Sequence, residues 1–484
     1  MRIVFISLLS LNQTISNDTS KDEESSGPAP GAGNFTEGAV HVHLIRLTGY
    51  MVLGFISIMT ASLVETIYIG RLGAEELAAI SFTFPLVMIM QAISMGLSVG
   101  ASSVVARIMG IGDNERAKLL NTHCVVLVMS LSFFLSFTVY FNLEGFFRLL
   151  GAQGNVLSLT VDYMQVWLIG MPFFTIAFVG MTLMRAMGDA VTPGYLMTIG
   201  SGLHILIAPF FIFGLLGIPE MGLTGAAVSF VIARILSFLS YVYVMIIRDK
   251  LLTFEMKGFF SSCLDIAHVG LPAVASNLIA PVSMSVITRL LAGHGAVVVA
   301  GFGVASRIES MLQMIIFALS MSLAPFVGQN WGAGYFDRVK LALRLANQFA
   351  LAWGIFGYSL LFLSADLLVS LINDDPAVVQ AAVHYLLIIP LGMGFMGVMA
   401  NSTSSFNALG KPIPPLVISI LQMIIVYLPL AMLGDYLWGY VGIFIAGVTT
   451  VTILGTISWL WINREVAAGI ALGKVTHERE QRTG

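Results

Sequence analysis

The sequence predicts an all-α polytopic membrane protein, twelve transmembrane helices in two pseudo-symmetric six-helix bundles, on three observations. First, 57% of the 484 residues are hydrophobic and only 10% are charged, with a mean hydropathy of +0.91. A soluble domain carries about 25% charged residues, so this chain cannot cover a solvated surface. Second, from His43 onward the chain is a series of apolar runs broken by short loops, each run able to supply the roughly 20 residues that cross a bilayer. Third, the sequence repeats itself at a shift of about 222 residues.

The apolar runs place spans near 44–69, 78–106, 121–142, 158–184, 193–216 and 222–247, then near 264–291, 297–328, 341–365, 378–400, 413–434 and 438–462. Loops after even-numbered spans carry Arg107, Arg116, Lys118, Arg185, Arg248, Lys250, Lys257, Arg338, Lys340 and Lys411, and the C-terminal tail adds Arg464, Lys474, Arg479 and Arg482. Loops after odd-numbered spans hold little beyond Arg71 and Arg148. The positive-inside rule then puts both termini in the cytoplasm, and the membrane expected is the plasma membrane.

Three landmarks set the repeat. Gly110 to Lys118 corresponds to Gly332 to Lys340, Met187 to Pro193 to Leu409 to Pro415, and Gly222 to Gly225 to Gly439 to Gly442 after a small gap. The organisation expected is a polar tail over 1–43, a bundle over 44–247, a cytoplasmic linker over 248–262, a second bundle over 263–463 and a cytoplasmic tail over 464–484. Six spans per half give both halves the same orientation, related by an axis along the membrane normal.

The tail is Ser/Asn/Gly/Pro-rich after a short apolar stretch, Ile3 to Leu11, and reads as disordered. That stretch resembles a weak signal core, but no small-residue cleavage site follows. Asn12, Asn17 and Asn34 begin sequons that matter only for an outward-facing tail. With a net charge of −3 and no basic block, nothing invites a nucleic acid. Cys124 and Cys263 lie in apolar runs and read as packing thiols.

The stretches Val64-Glu-Thr-Ile-Tyr-Ile-Gly-Arg-Leu-Gly73, Gly96-Leu-Ser-Val-Gly100 with Gly110-Ile-Gly-Asp113, Ile218 to Ala227, and Val327-Gly-Gln-Asn-Trp-Gly-Ala-Gly334 occur in that order. Together they resemble the multidrug and toxic compound extrusion (MATE) transporters from about residue 44 to 463, closer to the prokaryotic branch with the DNA-damage-inducible F type than to the NorM type. The resemblance implies alternating-access export of organic cations or amphipathic compounds in exchange for protons or sodium ions, with no cofactor, from a monomer in the lipid bilayer.

An ionisable residue within a span is expensive unless it serves a site. Glu65 is such a residue, and its alternative is an interfacial carboxylate paired with Arg71. The resemblance favours coupling, because relatives usually carry an aspartate there. Many relatives also carry an Asn and an Asp on span five, where this chain has His204 and Ala208. Sodium prefers oxygen ligands, whereas imidazole titrates near physiological pH, so Glu65 with His204 suits proton coupling. His204 as a plain interhelical hydrogen-bond donor stays open.

In span eight, Arg307 and Glu309 are two residues apart and point to different helix faces. Each needs a partner, with Asp366 a candidate for Arg307, or one lines a cavity in the second half. The acids that the NorM type carries on spans seven and ten are replaced here by Asn277 and by Asn401, Ser402 and Ser404. Prolines within spans, Pro390 among them, permit bends.

The rival reading is a flippase for lipid-linked oligosaccharides or lipids, which needs cavity cations; Arg234, Arg289 and Arg307 are the deep ones. An intramembrane protease is a remote alternative, since Gly110-Ile-Gly-Asp113 has no partner Tyr-Asp in any span. No HExxH, P-loop or metal-ligand cluster is present.

Overall fold

The computed structural model describes residues 35–253 and 255–483, with side chains of the last helix as far as Ala471. The first two sequons, Asn34 of the third, the early apolar stretch and most of the polar tail lie outside the described residues. Among the described residues, twelve helices are long and apolar enough to cross a membrane. They are α1 (Val40–Gly70), α2 (Ala74–Ile111), α3 (Asn114–Tyr140), α4 (Gly154–Ala186), α5 (Thr192–Ile212) and α6 (Gly222–Arg248), then α7 (Phe259–Ala292), α8 (Ala296–Gly332), α9 (Phe336–Ser370), α10 (Pro376–Ala408), α11 (Ile413–Trp438) and α12 (Tyr440–Ala471). The last continues as one helix to Thr483.

The helices are apolar on nearly every face, so burial follows position in the bundle and not a polar stripe. α4 and α10, equivalent in the repeat, are the central helices, with 72% and 61% of their apolar windows buried. Asp375 caps α10 by accepting the Ala377 amide, whereas α4 follows Gln153, which makes no such bond. Asp113 likewise caps α3 by accepting from the Arg116 amide at 3.0 Å. Two glycine pairs fix the matching turns, Gly112 with Gly334 and Gly188 with Gly410, all at positive φ between 76° and 100°.

The halves close against each other at the end that bears the positively charged loops. A Cβ on Gly110 of α2 would lie 2.0 Å from the Gln329 carbonyl oxygen, and one on Gly332 of α8 would lie 2.1 Å from that of Arg107. The two contacts are images of one another under the repeat, so the pseudo-two-fold axis passes between α2 and α8. α2 also packs along α7, where Gly96 and Gly100 admit Val274, Gly270 and Ile266.

The boundary between halves in sequence is not their boundary in packing. Phe35 ahead of α1, with Val40, Leu44 and Leu47 in its first turns, lies in a core cluster built mainly from α8, α9, α10 and α12. Leu251 ahead of α7, with Ile266 near the start of α7, lies in a cluster built from α2, α3, α4 and α6. Each half thus receives the entry segment of the other. Helix α1 begins at Val40, ahead of the expected 44, and residues 35–39 are held in place, which corrects the expectation of disorder for that part of the tail. Phe35 is 3% exposed, and its carbonyl accepts from Arg338 Nη2 at 2.9 Å and Asn330 Nδ2 at 3.1 Å. On the other side Thr122 exchanges hydrogen bonds with the backbone of Thr253, at 2.8 and 2.9 Å, and His123 Nδ1 meets Ser262 Oγ at 2.8 Å.

Candidate functional site

In the first half, α1, α4, α5 and α6 bring ionisable groups into one aromatic-walled pocket. Glu65 on α1 is partly enclosed, with 22% of its side chain exposed, and its Oε1 lies 3.9 Å from Nε2 of His204 on α5. That is longer than a hydrogen bond, within reach of a bridging water or a small rotation. His204 stands edge-on to Phe230 at 6.1 Å, and Phe230 stacks on Trp167 at 5.3 Å. Arg234, one turn beyond Phe230 on α6, lays its guanidinium over Phe230 at 4.9 Å and Phe174 at 5.3 Å. Its charge acts on both Glu65 and His204. Tyr163 on α4 is buried and lies within electrostatic range of Glu65.

Glu65 Oε1, His204 Nε2 and Arg234 Nε are all buried without a hydrogen-bond partner. Unsatisfied polar atoms in a low-dielectric interior are costly, and they persist where a fully paired arrangement would remove a function. A carboxylate and an imidazole facing each other beside a fixed cation can take up and release one proton. Arg71 is exposed and forms no ion pair with Glu65 among the described residues, so the interfacial pairing does not occur. Ala208, where relatives carry an Asp, is 1% exposed and fills space as a methyl.

The second half places its acid differently. Glu309 on α8 is 4% exposed, and its carboxylate accepts from the Tyr385 hydroxyl at 2.5 Å and from Gln313 Nε2 at 2.6 Å. Tyr385 on α10 occupies the same place in the repeat as Tyr163 on α4. Arg307 is exposed on the other face of α8 and makes no ion pair with Asp366, which corrects that expectation; Asp366 instead lines a surface pocket with His384. Asn277 lines a cavity of about 190 Å³ between the halves, shared with Ser276, Thr403, Asn407 and Gln422. Asn401 of α10 is spent inside its own half, accepting from Ser320 and donating to Asn347, both at 3.1 Å. Pro390 sits in a 3₁₀ turn, Ile389–Gly392, that interrupts α10, whereas its partner α4 runs through Pro172 unbroken.

Arg185 was counted by the sequence among the loop cations, yet it is 2% exposed within the seam. Of the three deep cations named from sequence, Arg289 and Arg307 are exposed and Arg234 alone is enclosed in the first-half pocket. Tyr163, Gln313 and Tyr385 were not legible as site residues, because a tyrosine or glutamine in an apolar span is common and only the fold shows which acid it faces.

The fold and these sequence features have counterparts among known proteins. The MatE family model matches this chain twice, over residues 51–210 and 272–433, once per half. A protein of Shewanella oneidensis named FAD transporter is 34% identical over 85% of this chain and 92% of its own length. The probable multidrug resistance protein YoeA of Bacillus subtilis is 26% identical over 84% of this chain and 90% of its own. The MATE transporter VcmN of Vibrio cholerae in its bent form superposes with a TM-score of 0.85 at 28% identity, covering 89% of this chain and 98% of that one. With two family matches placed on the two halves and a relative at this identity along most of its length, the chain belongs to the MATE family of multi-pass membrane transporters.

Proposed function

We propose that this transporter is a secondary antiporter that exports amphipathic or cationic compounds across the plasma membrane in exchange for protons, with Glu65 and His204 as the coupling pair. The observation that supports this most is the facing of Glu65 and His204 at 3.9 Å with both atoms otherwise unpartnered. A proton taken by this pair changes the charge balance against Arg234, and coupling requires only that proton and cargo favour different states of the seam. The charged-loop end, closed by Gly110 and Gly332, is then the cytoplasmic end, and both termini lie on that side. The absence of carboxylates from α10 supports a place nearer the DNA-damage-inducible F type than the NorM type.

A second reading, export of an anionic flavin nucleotide, is favoured by the enclosed guanidinium groups of Arg234 and Arg185 and by the name of the Shewanella relative. The same cations would also suit the diphosphate of a lipid-linked oligosaccharide. One experiment separates the cation reading from the flavin reading. Efflux from reconstituted vesicles is measured for a fluorescent organic cation and for FAD, with a proton gradient and a sodium gradient imposed separately. Cation efflux on the proton gradient alone is the expected result. Cation efflux on sodium alone overturns the coupling assignment, and gradient-driven movement of FAD without the cation overturns the cargo assignment.

A further inference from the structure

At the seam, Ser98, Ser102, Ser103 and Thr182 of the first half meet Ser404 and Asn407 of the second around a cavity of about 60 Å³ with Arg185 in its wall. At roughly 30 Å³ per water in the liquid, that is the room of about two waters, or of one small oxyanion. Arg185 Nη2 donates to Thr182 Oγ1 at 2.7 Å, while Nη1 is buried and has no partner. No carboxylate pairs with it among the described residues. The acid nearest in sequence is already committed. Asp189 accepts the Val191 and Thr192 amides with Oδ1 and meets Arg248 with Oδ2.

A buried guanidinium with an open donor and no counter-charge is an incomplete ion pair. Four of the surrounding hydroxyls donate to backbone carbonyls: Ser98 to Met95, Ser103 to Asn407, Thr182 to Phe178 and Ser404 to Ser320. That leaves Ser102, 5% exposed, and the side-chain amide of Asn407, whose oxygen is also unpartnered and which presents donors when rotated. We propose that this pocket is an oxyanion site that holds one phosphate group through Arg185, Ser102 and Asn407, the phosphate being either part of a transported ester or free inorganic phosphate. Because Arg185 and Asn407 come from opposite halves, the bound anion ties the halves together at the closed end. The inference needs neither Glu65 nor His204 and stands apart from the coupling reading.

The test is thermal unfolding of the purified full chain in detergent, with sodium phosphate titrated against sodium chloride at constant ionic strength. The expected result is a saturable rise of the midpoint with phosphate alone. In Arg185→Gln the apparent affinity falls about tenfold or more, the loss expected for a charge-assisted pair, and Arg185→Lys recovers part of it. Ser102→Asp, which places a carboxylate in the pocket, removes the phosphate response without lowering the midpoint. Equal effects of phosphate and chloride on the natural protein overturn the proposal, as does an undiminished response in Arg185→Gln. Where Arg185→Gln does not fold, an undiminished response in Ser102→Asp overturns it instead. Vesicle uptake of a fluorescent phosphate ester and its unphosphorylated parent separates the two sources. A preference for the ester that Arg185→Gln abolishes assigns the site to cargo, and a preference unchanged while phosphate binding is lost assigns it to free phosphate. A negative phosphate result leaves the ion-gradient experiment on Glu65 unaffected.

Discussion

The two halves each enclose one membrane-embedded acid beside a repeat-equivalent tyrosine, yet they treat the acid in opposite ways. Glu309 is held by Tyr385 and Gln313, both within 2.6 Å, and its surroundings are complete. Glu65 lies near Tyr163, His204 and Arg234, and one of its oxygens has no partner. A satisfied buried acid fixes structure; an unsatisfied one beside an imidazole and a fixed cation is ready to change its charge. Duplication gave both halves the same helices, and the comparison teaches that only the half proposed for coupling leaves the polar groups around its acid incompletely paired.

The strongest way to break this comparison is to remove the charge from each acid in turn. Glu65→Gln is expected to reduce proton-driven efflux by about a hundredfold or more, the scale of losing a proton-transfer group, with an unchanged unfolding midpoint. Glu309→Gln is expected to leave the ion dependence of efflux intact. Vesicle efflux rates for both variants decide the matter, and the reverse ranking would move the coupling site to the second half.

The acids also differ in what their removal costs in stability. Glu309→Gln retains one acceptor for Tyr385 or Gln313 but leaves the new amide hydrogens without a place, a loss of about 1–3 kcal/mol typical of a buried unsatisfied group. Glu65→Gln disturbs no hydrogen bond that Oε1 makes, so its midpoint should hold. Thermal melts of the two proteins sharpen the contrast, because equal losses would mean that Glu65 is as firmly built in as Glu309.

How much of this was legible beforehand follows from what hydropathy and pattern can register. Spans such as α2 and α8 declare themselves by length and apolarity, and their glycine turns by the shared Gly112 and Gly334 landmarks. Glu65 was visible because a carboxylate in an apolar run stands out against the composition of the run. Arg185 was misread because hydropathy registers the polarity of a residue and not that of its neighbours; at the end of α4 it follows an apolar run as any loop cation would, and only the closure of the halves buries it. The pairing of Glu309 with Tyr385 joins residues 76 positions apart and has no local signature. The exchange of entry segments was invisible for a similar reason, since the repeat gives equivalent positions and says nothing about which half each lead-in packs against.

That exchange offers the mildest test, set between the two lead-ins. Arg338 gathers the carbonyls of Phe35, Glu37 and Gly38, at 2.9, 3.2 and 2.8 Å, and Asn330 Oδ1 at 2.8 Å, and so binds the lead-in of α1 to the second half. On the opposite side Thr122 makes two hydrogen bonds to Thr253 and binds the linker to the first half. Arg338→Ala therefore removes more bonds than Thr122→Val, although Arg338 is only half-buried and water replaces part of what is lost. The expected cost is about 1–2 kcal/mol for Arg338→Ala and about 1 kcal/mol for Thr122→Val, read as shifts in the unfolding midpoint. Because the two lead-ins tie different halves, the double variant should lose the sum of the two. A loss well beyond that sum would show that the lead-ins act together to hold the seam shut, and the closed end would then be governed by the exchanged segments as much as by the contact of Gly110 and Gly332.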